Sequence, residues 1–409
     1  MPGSRPLLAV VGGTYGERCA FPRYSEIYGS GLRAAAALAA SGTDIRFHTV
    51  ADPAFGKNAQ MKAATHGFSA VITPANQAIW FSYLHPLSGG RLAPTPHDNL
   101  PTLAITADNI LQFGMVDARV TVTGKRVVYD PQSPIRPESF RAQGSRAHQL
   151  AVVLNRVEAG TLTGSTDPRQ AGREILVREN AVAVVVKDGP RGALVMEAER
   201  ESWIPPFATS RSFLIGSGDI FSAFFAKEWA IGNVAPAIAA ERASLATAAW
   251  CSTGALPLEL DAAKLGAVAK PDLHRAPRPK VYLAGPFFNT AQLWWVGHAR
   301  EVLLDLGLEV FSPYHDVGFV GAGNTDAAEQ DLKALDSCDV VLALLDGFDP
   351  GTLFEVGFAR SKGIPVIGLQ TEGSVRTHET MLLGTGCLLY DDFGSAAYQV
   401  YWSGVRAKA

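Results

Sequence analysis

Glu355 is a lone carboxylate in an apolar run, Leu353-Phe354-Glu355-Val356-Gly357-Phe358. Burying an unpaired charge there is costly, so a carboxylate in that setting implies a partner or a task. Asp349 precedes it by six residues in the block DPGTLFEVGFA, and Asp331 is read as opening the helical segment DLKALDSCD. Gly351 and Thr352 come just before Glu355, which is placed at the start of a helix, where backbone N–H groups favour an ionised carboxylate. An ionised carboxylate that attacks an anomeric carbon, while a second group protonates the leaving base, performs glycosyl transfer with retention. Taken singly, Asp349 reads equally well as a helix cap and Asp331 as a solvated helix residue.

A second group of residues points to phosphate chemistry. Gly216, Ser217, Gly218 and Asp219 lead into an apolar helix, where glycines let backbone amides approach phosphoryl oxygens. Asp219 could then take a proton from an attacking hydroxyl, or it could cap the helix of a retired site. Asn155 and Glu158 follow the strand LAVVLN, and Glu158 could hold a hydrated Mg²⁺. The stretches DPQSP (130–134) and VVVKDGPRGAL, with Lys187 and Gly189, add support.

These residues need a scaffold of strand ends and helix starts, and the sequence supplies one. Before residue 270, LLAVVGG, VAVVVKDG and GALVME read as strands, the last two as a hairpin; GLRAAAALAASG and GDIFSAFFAKEWAIG read as helices. Such alternation implies a largely parallel, doubly wound sheet. After residue 280, four short β-rich runs (KVYLAGP, LEVFSPY, DVVLALLDG and IPVIGL) alternate with helical patterns. In open α/β sheets ligands sit at the carboxyl ends of the strands, where the acidic and glycine residues fall. Between these halves lies KPDLHRAPRPK, with three prolines and five basic residues in eleven positions, a stiff extended linker. The expected architecture is α/β, with domains over 1–269 and 281–409 joined by a linker over 270–280.

The bulk numbers narrow the class. A chain of 409 residues with 47% hydrophobic and 18% charged residues is a packed protein of two domains. A net charge of −3 gives no basic footprint for a nucleic acid polymer. No run is long enough to span a bilayer, no signal peptide is evident, and Cys19, Cys251, Cys338 and Cys387 have no metal-like spacing. The expectation is a cytoplasmic metabolic protein with no membrane partner.

From Val281 to about Leu369 the chain resembles the nucleoside 2-deoxyribosyltransferase family, in YLAGPFF, the DLKAL helix and DPGTLFEVGFA. The resemblance implies a flavodoxin/Rossmann-like domain in which Glu355 is the nucleophile that forms a glycosyl-enzyme. Asp349 and Asp331 orient sugar and base and manage the proton, and Tyr282 positions the nucleophile. Gly285, Phe287, Gly351 and Thr352 contact substrate, which is a nucleoside, a nucleotide or a free base, and no cofactor is needed. It also implies a homo-oligomer whose neighbouring subunit contributes an Asn-x-Met segment; the corresponding stretch here, Arg376 to Met381, lacks the asparagine. Trp294 or Trp295 stacks a base or belongs to a core or interface, and His298 reads as solvated or capping.

Residues 6–260 resemble the PfkB (ribokinase-like) sugar and nucleoside kinases, in the NxxE element, the GSGD element and Gly29-Ser30-Gly31. The resemblance implies ATP and Mg²⁺ as cofactors, an anion hole at Gly216–Gly218 and Asp219 as base. It departs at Phe213 (an acid in the family), at Arg33 (an asparagine) and at Tyr28 (a glycine). Residues 13–29 look short for a β lid, and no aspartate stands soon after Gly12-Gly13, where Glu17 is the only acidic candidate. Three readings follow: glycosyl transfer or hydrolysis beside a non-catalytic kinase-like module, a bifunctional salvage enzyme with an active kinase, or a sensing module in which neither site turns over.

Overall fold

The computed structural model describes residues 5–96, 99–133, 137–258, 260, 273, 277–318, 325–371 and 379–408. The chain divides into two units, residues 1–84 with 88–270, and residues 85–87 with 271–409. Most of the linker lies outside the described residues, and its last member, Lys280, is already in the first strand of the second unit.

In the first unit a nine-stranded sheet is built from β1 (Leu7–Val11), β4 (Asp44–Ala51), β5 (Ser69–Pro74), β8 (Thr102–Phe113), β9 (Arg119–Asp130), β10 (Arg146–Asn155), β11 (Ala183–Lys187), β12 (Ala193–Met196) and β13 (Glu201–Ile204). Its order is β13-β12-β11-β10-β9-β8-β1-β4-β5. All pairings are parallel except β11–β12 and β12–β13, and the first of these is the expected hairpin. Strands such as Val184-Val185-Val186 are buried on both faces, as a sheet covered by helices requires. The helices bearing on the site are α1 (Gly29–Leu38), α3 (Arg156–Thr163) and α5 (Ser217–Ala226), with α6 (Pro236–Thr253) packed on α5.

A separate four-stranded sheet corrects the expectation that residues 13–29 are too short for a β lid. There, β2 (Gly16–Cys19) and β3 (Tyr24–Ile27) form a hairpin, and β6 (Trp80–Tyr83) and β7 (Arg91–Ala93) extend it. Half of this sheet comes from residues more than fifty positions downstream, a pairing that local pattern does not reveal.

In the second unit β14 (Lys280–Ala284), β15 (Glu309–Phe311), β16 (Val340–Leu344), β17 (Val366–Leu369) and β18 (Leu388–Tyr390) form an all-parallel sheet in the order β15-β14-β16-β17-β18. The fifth strand is one more than the sequence pattern supplied, because LLY is too short to show a period. Helices α7 (Thr290–Asp305), α9 (Thr325–Asp336), α10 (Pro350–Ser361) and α12 (Phe393–Lys408) flank it, with the short α8 (Pro313–Asp316) after β15. All four cysteines are free and buried. Among the described residues no helix is long and apolar enough to cross a membrane.

Candidate active site at the strand ends of the second unit

Tyr282 lies in β14, which is buried from Val281 to Ala284 and pairs with β15 and β16, and its hydroxyl donates to Glu355 Oε1 at 2.6 Å. The ring stacks on Phe311 of β15 at 5.5 Å, which fixes the direction of that hydroxyl. Glu355 is in the second turn of α10, beside the buried Val356 and Ala359, so its side chain faces the sheet. Burial pushes its carboxyl up to about 7, against the lowering effect of the Tyr282 hydrogen bond, and the charges of Asp331 and Asp349 push the same way as burial. The expectation of helix-terminal amides holding Glu355 ionised is therefore corrected: desolvation dominates, and the amide of Thr352 is already taken.

Asp349 takes it. As N-cap of α10, its Oδ2 accepts from Thr352 N at 2.8 Å and from Thr352 Oγ1 at 3.0 Å. Gly351 leaves room for this cap, since a Cβ there would lie 3.1 Å from Asp349 Oδ2. Asp331 sits in the middle of α9 rather than at its start, because the preceding DAAEQ continues the helix toward the N-terminus. Burial raises its carboxyl to about 6, and its Oδ1 is buried without a hydrogen-bond partner among the described residues. Gly285 allows the turn after β14 to pack on Leu344, 3.2 Å from where its Cβ would be. Phe287 stacks on Phe288 at 5.3 Å and meets Tyr314 of α8 at 5.9 Å. Trp294 is 56% exposed on α7. Arg376, Thr377 and His378 of the segment compared with Asn-x-Met lie outside the described residues.

The phosphate-directed residues of the first unit also meet at strand ends. Asn155 caps α3 and forms a reciprocal capping box with Glu158, each bond 2.8 Å. Lys187, at the end of β11, donates to Asp130 Oδ2 at 2.9 Å, and Ser222 of α5 donates to the same oxygen at 2.6 Å. A Cβ on Gly218 would lie 3.4 Å from Lys187 Nζ, which puts that ammonium beside the GSGD turn. Gly216, at φ +73, and Gly189, at φ +54, occupy the left-handed region that favours glycine. Burial first, then the Asp130 charge, raises Glu158 to about 7. Asp130 Oδ1 is buried and unpartnered, so a hydrated Mg²⁺ facing Asp130 and Glu158 would fit this donor set. Among the described residues no group of three or more His, Cys, Asp or Glu side chains could hold a metal ion.

Asp219, at the start of α5, is fully engaged: Oδ1 accepts from Gln132 Nε2 at 2.7 Å and Oδ2 from Arg33 Nη1 at 2.6 Å. Arg33 has 0% exposure and also pairs with Glu17. Phe213 packs between Tyr24 and Trp250.

These arrangements can be set beside known proteins. Residues 281–395 match the family model of nucleoside 2-deoxyribosyltransferase. The second unit thus carries a deoxyribosyltransferase-family domain. An uncharacterized protein of Schizosaccharomyces pombe is 32% identical over 108 residues, which are 23% of this chain and 51% of that protein. The chain therefore spans about half the length of the curated relative it matches. Similar solved structures are ribokinase-family kinases lying over the N-terminal part. Fructokinase from Vibrio cholerae O395 is 15% identical at a TM-score of 0.48, covering 65% of this chain and 99% of that one. A phosphofructokinase-2 mutant from Escherichia coli is 18% identical at 0.44, covering 64% and 98%.

In the first unit Asp130, Gln132 and Ser222 carry no sequence signal of their own: DPQSP points to phosphate chemistry only in general terms, and nothing local says that Asp130 ends a strand against Lys187. Arg33 carried a usable signal. It is a charge within LRAAAAL, the same kind of interruption that singled out Glu355.

Proposed function

We propose that the deoxyribosyltransferase-family domain cleaves the N-glycosidic bond of a nucleoside or nucleotide through a covalent glycosyl-Glu355 intermediate. The observation that carries this reading is the part-buried Tyr282–Glu355 hydrogen bond, with Asp331 the second proton-holding carboxyl nearby. A Glu355 oxygen attacks the anomeric carbon; the C–N bond breaks, its electron pair leaves with the base, and the Asp331 proton passes to the base nitrogen. A second base, or water, then attacks the same carbon, gives its proton to Asp331 and releases the Glu355 carboxylate. Asp349 holds α10, and through it Glu355, in place. Phe287 and Tyr314 offer aromatic surface to a base.

The test is product analysis by mass spectrometry with a nucleoside and nucleotide library, comparing the parent with Glu355→Ala. Base release by the parent and none by the variant is the expected result; undiminished release by the variant would sink the assignment. Transfer differs from hydrolysis in whether an added free base diverts the sugar from water. No cofactor enters these steps, whereas a kinase reading of the first unit would require ATP, Mg²⁺ and a free Asp219 carboxylate.

A further inference from the structure

We infer that the first unit performs no phosphoryl transfer at its GSGD turn, because Arg33 occupies Asp219 and converts it from a base into one arm of a buried ion clamp. The inference concerns the first unit alone and is independent of the Glu355 reading.

For Asp219 to activate an acceptor, a hydroxyl must come within hydrogen-bond reach of one of its oxygens. Both oxygens already hold protein donors, one from Arg33 and one from Gln132. Arg33 is not a surface arginine swung inward. Its guanidinium lies against the Gly216 turn, where a Cβ would sit 2.3 Å from Nε, so the glycine exists to admit it. The other side is held by Glu17 of β2, reached from Nη1 at 3.1 Å, and by the Tyr24 hydroxyl of β3, which accepts from Nη2 at 3.3 Å. One guanidinium thus ties the small sheet, α1 and α5 together. A planar fork with five donors suits two carboxylates as an ammonium would not.

Tyr15 closes the neighbouring space beyond the end of β1. Its ring covers Gly13, where a Cβ would fall 2.0 Å from a ring carbon, and packs on Phe81 at 5.2 Å. Its hydroxyl donates to Asp117 Oδ1 at 2.7 Å and accepts from Val116 N at 3.2 Å. Tyr15, Glu17, Arg33 and Asp219 are each at most 6% exposed. An acceptor would have to displace a paired guanidinium and leave two buried carboxylates without a cation.

The full chain, with Mg²⁺ and a panel of sugars and nucleosides, is offered ATP or, separately, inorganic pyrophosphate, and transfer is read by phosphorylated-product mass and by ADP or phosphate release. Release no faster with any acceptor than without, and no phosphorylated product, is the expected result. An acceptor-dependent rate that disappears in Asp219→Asn overturns the inference. The clamp is tested by Arg33→Ala, expected to melt several degrees lower and to recover in part with methylguanidinium but not with urea. An unchanged melting temperature, or equal recovery with both additives or with neither, overturns it. If Arg33→Ala does not fold, the variant Arg33→Met/Glu17→Gln/Asp219→Asn removes all three charges together. Its folding supports the clamp, and its failure to fold overturns it.

Discussion

The Tyr282 hydroxyl of β14 and the Glu355 carboxylate of α10, 73 positions apart in sequence, are 2.6 Å apart. The bond works against burial: desolvation drives the Glu355 proton affinity up, and the tyrosine donor holds it down. In return burial first, then the Glu355 carboxylate, holds the Tyr282 phenol well above its ordinary range, so the hydroxyl stays a donor. The balance leaves the Glu355 carboxyl titrating at about 7, a value that suits the nucleophile and leaving group proposed for it.

Replacing Glu355 by Ala should lower base release by more than about 10³-fold, since removing a nucleophile usually costs at least that. The accompanying observation is by intact mass: a sugar adduct on the parent during turnover and none on the variant. An adduct that persists in Glu355→Ala would move the nucleophile elsewhere.

Tyr282→Phe should keep the fold and slow turnover by about 10-fold, the effect of one charge-assisted hydrogen bond. With its lowering influence gone, Glu355 should titrate higher. Because Glu355 (about 7) titrates above Asp331 (about 6), the alkaline limb of the pH–rate profile should therefore move up in pH, a shift that a packing role for Tyr282 would not produce.

The pH profile of the parent should be bell-shaped, highest between about 6 and about 7. Burial raises Asp331 to about 6 and Glu355 to about 7, so over this interval the pair holds about one proton, mostly on Glu355, and the productive form is the minority in which Asp331 carries it. Below it both carboxyls are protonated and no nucleophile remains; above it both are ionised and no acid remains. Asp331→Asn should flatten the alkaline limb. A parent profile flat from pH 5 to 8, within the range of these shifts, would remove Asp331 from its role.

How far the sequence anticipates this site depends on the range of the interaction. The Asp349 cap and its Pro350-Gly351-Thr352 start are written locally, and so is the Asn155–Glu158 capping box. Glu355 and Arg33 stand out because each interrupts an apolar or alanine-rich stretch. That those charges pair with particular residues does not stand out. Arg33 meets Asp219 across 186 positions and Lys187 meets Asp130 across 57, and only the strand order brings them together. The small sheet is hidden for the same reason, its strands being four residues or fewer and split between two distant hairpins.

Asp349 offers a separation of cap from charge. Asp349→Ala removes the acceptor of the Thr352 amide and hydroxyl, and should cost about 1 kcal/mol of stability. Asp349→Asn keeps an oxygen acceptor and should cost much less in a thermal melt. If the two variants lose activity equally while only the first loses stability, the charge of Asp349 matters to the reaction as well as its cap.

Glu355→Gln should make the second unit more stable at pH 8 and change it little at pH 4. The folded carboxyl titrates at about 7 against an ordinary value of 4.5, so the folded state binds the proton more tightly than the unfolded state. Stability from this group is therefore full below about 4.5, falls as pH rises, and levels off above about 7. The deficit at pH 8 is no more than about 3.5 kcal/mol, at about 1.4 kcal/mol per pKa unit. Glutamine fits the same space without a charge and can still accept from Tyr282, so it removes that deficit along with the nucleophile. Parallel melts of parent and variant at pH 4, 6 and 8 should diverge progressively. Curves that stay parallel would mean that Glu355 is solvated in the folded protein, and the desolvation on which its raised proton affinity depends would be gone.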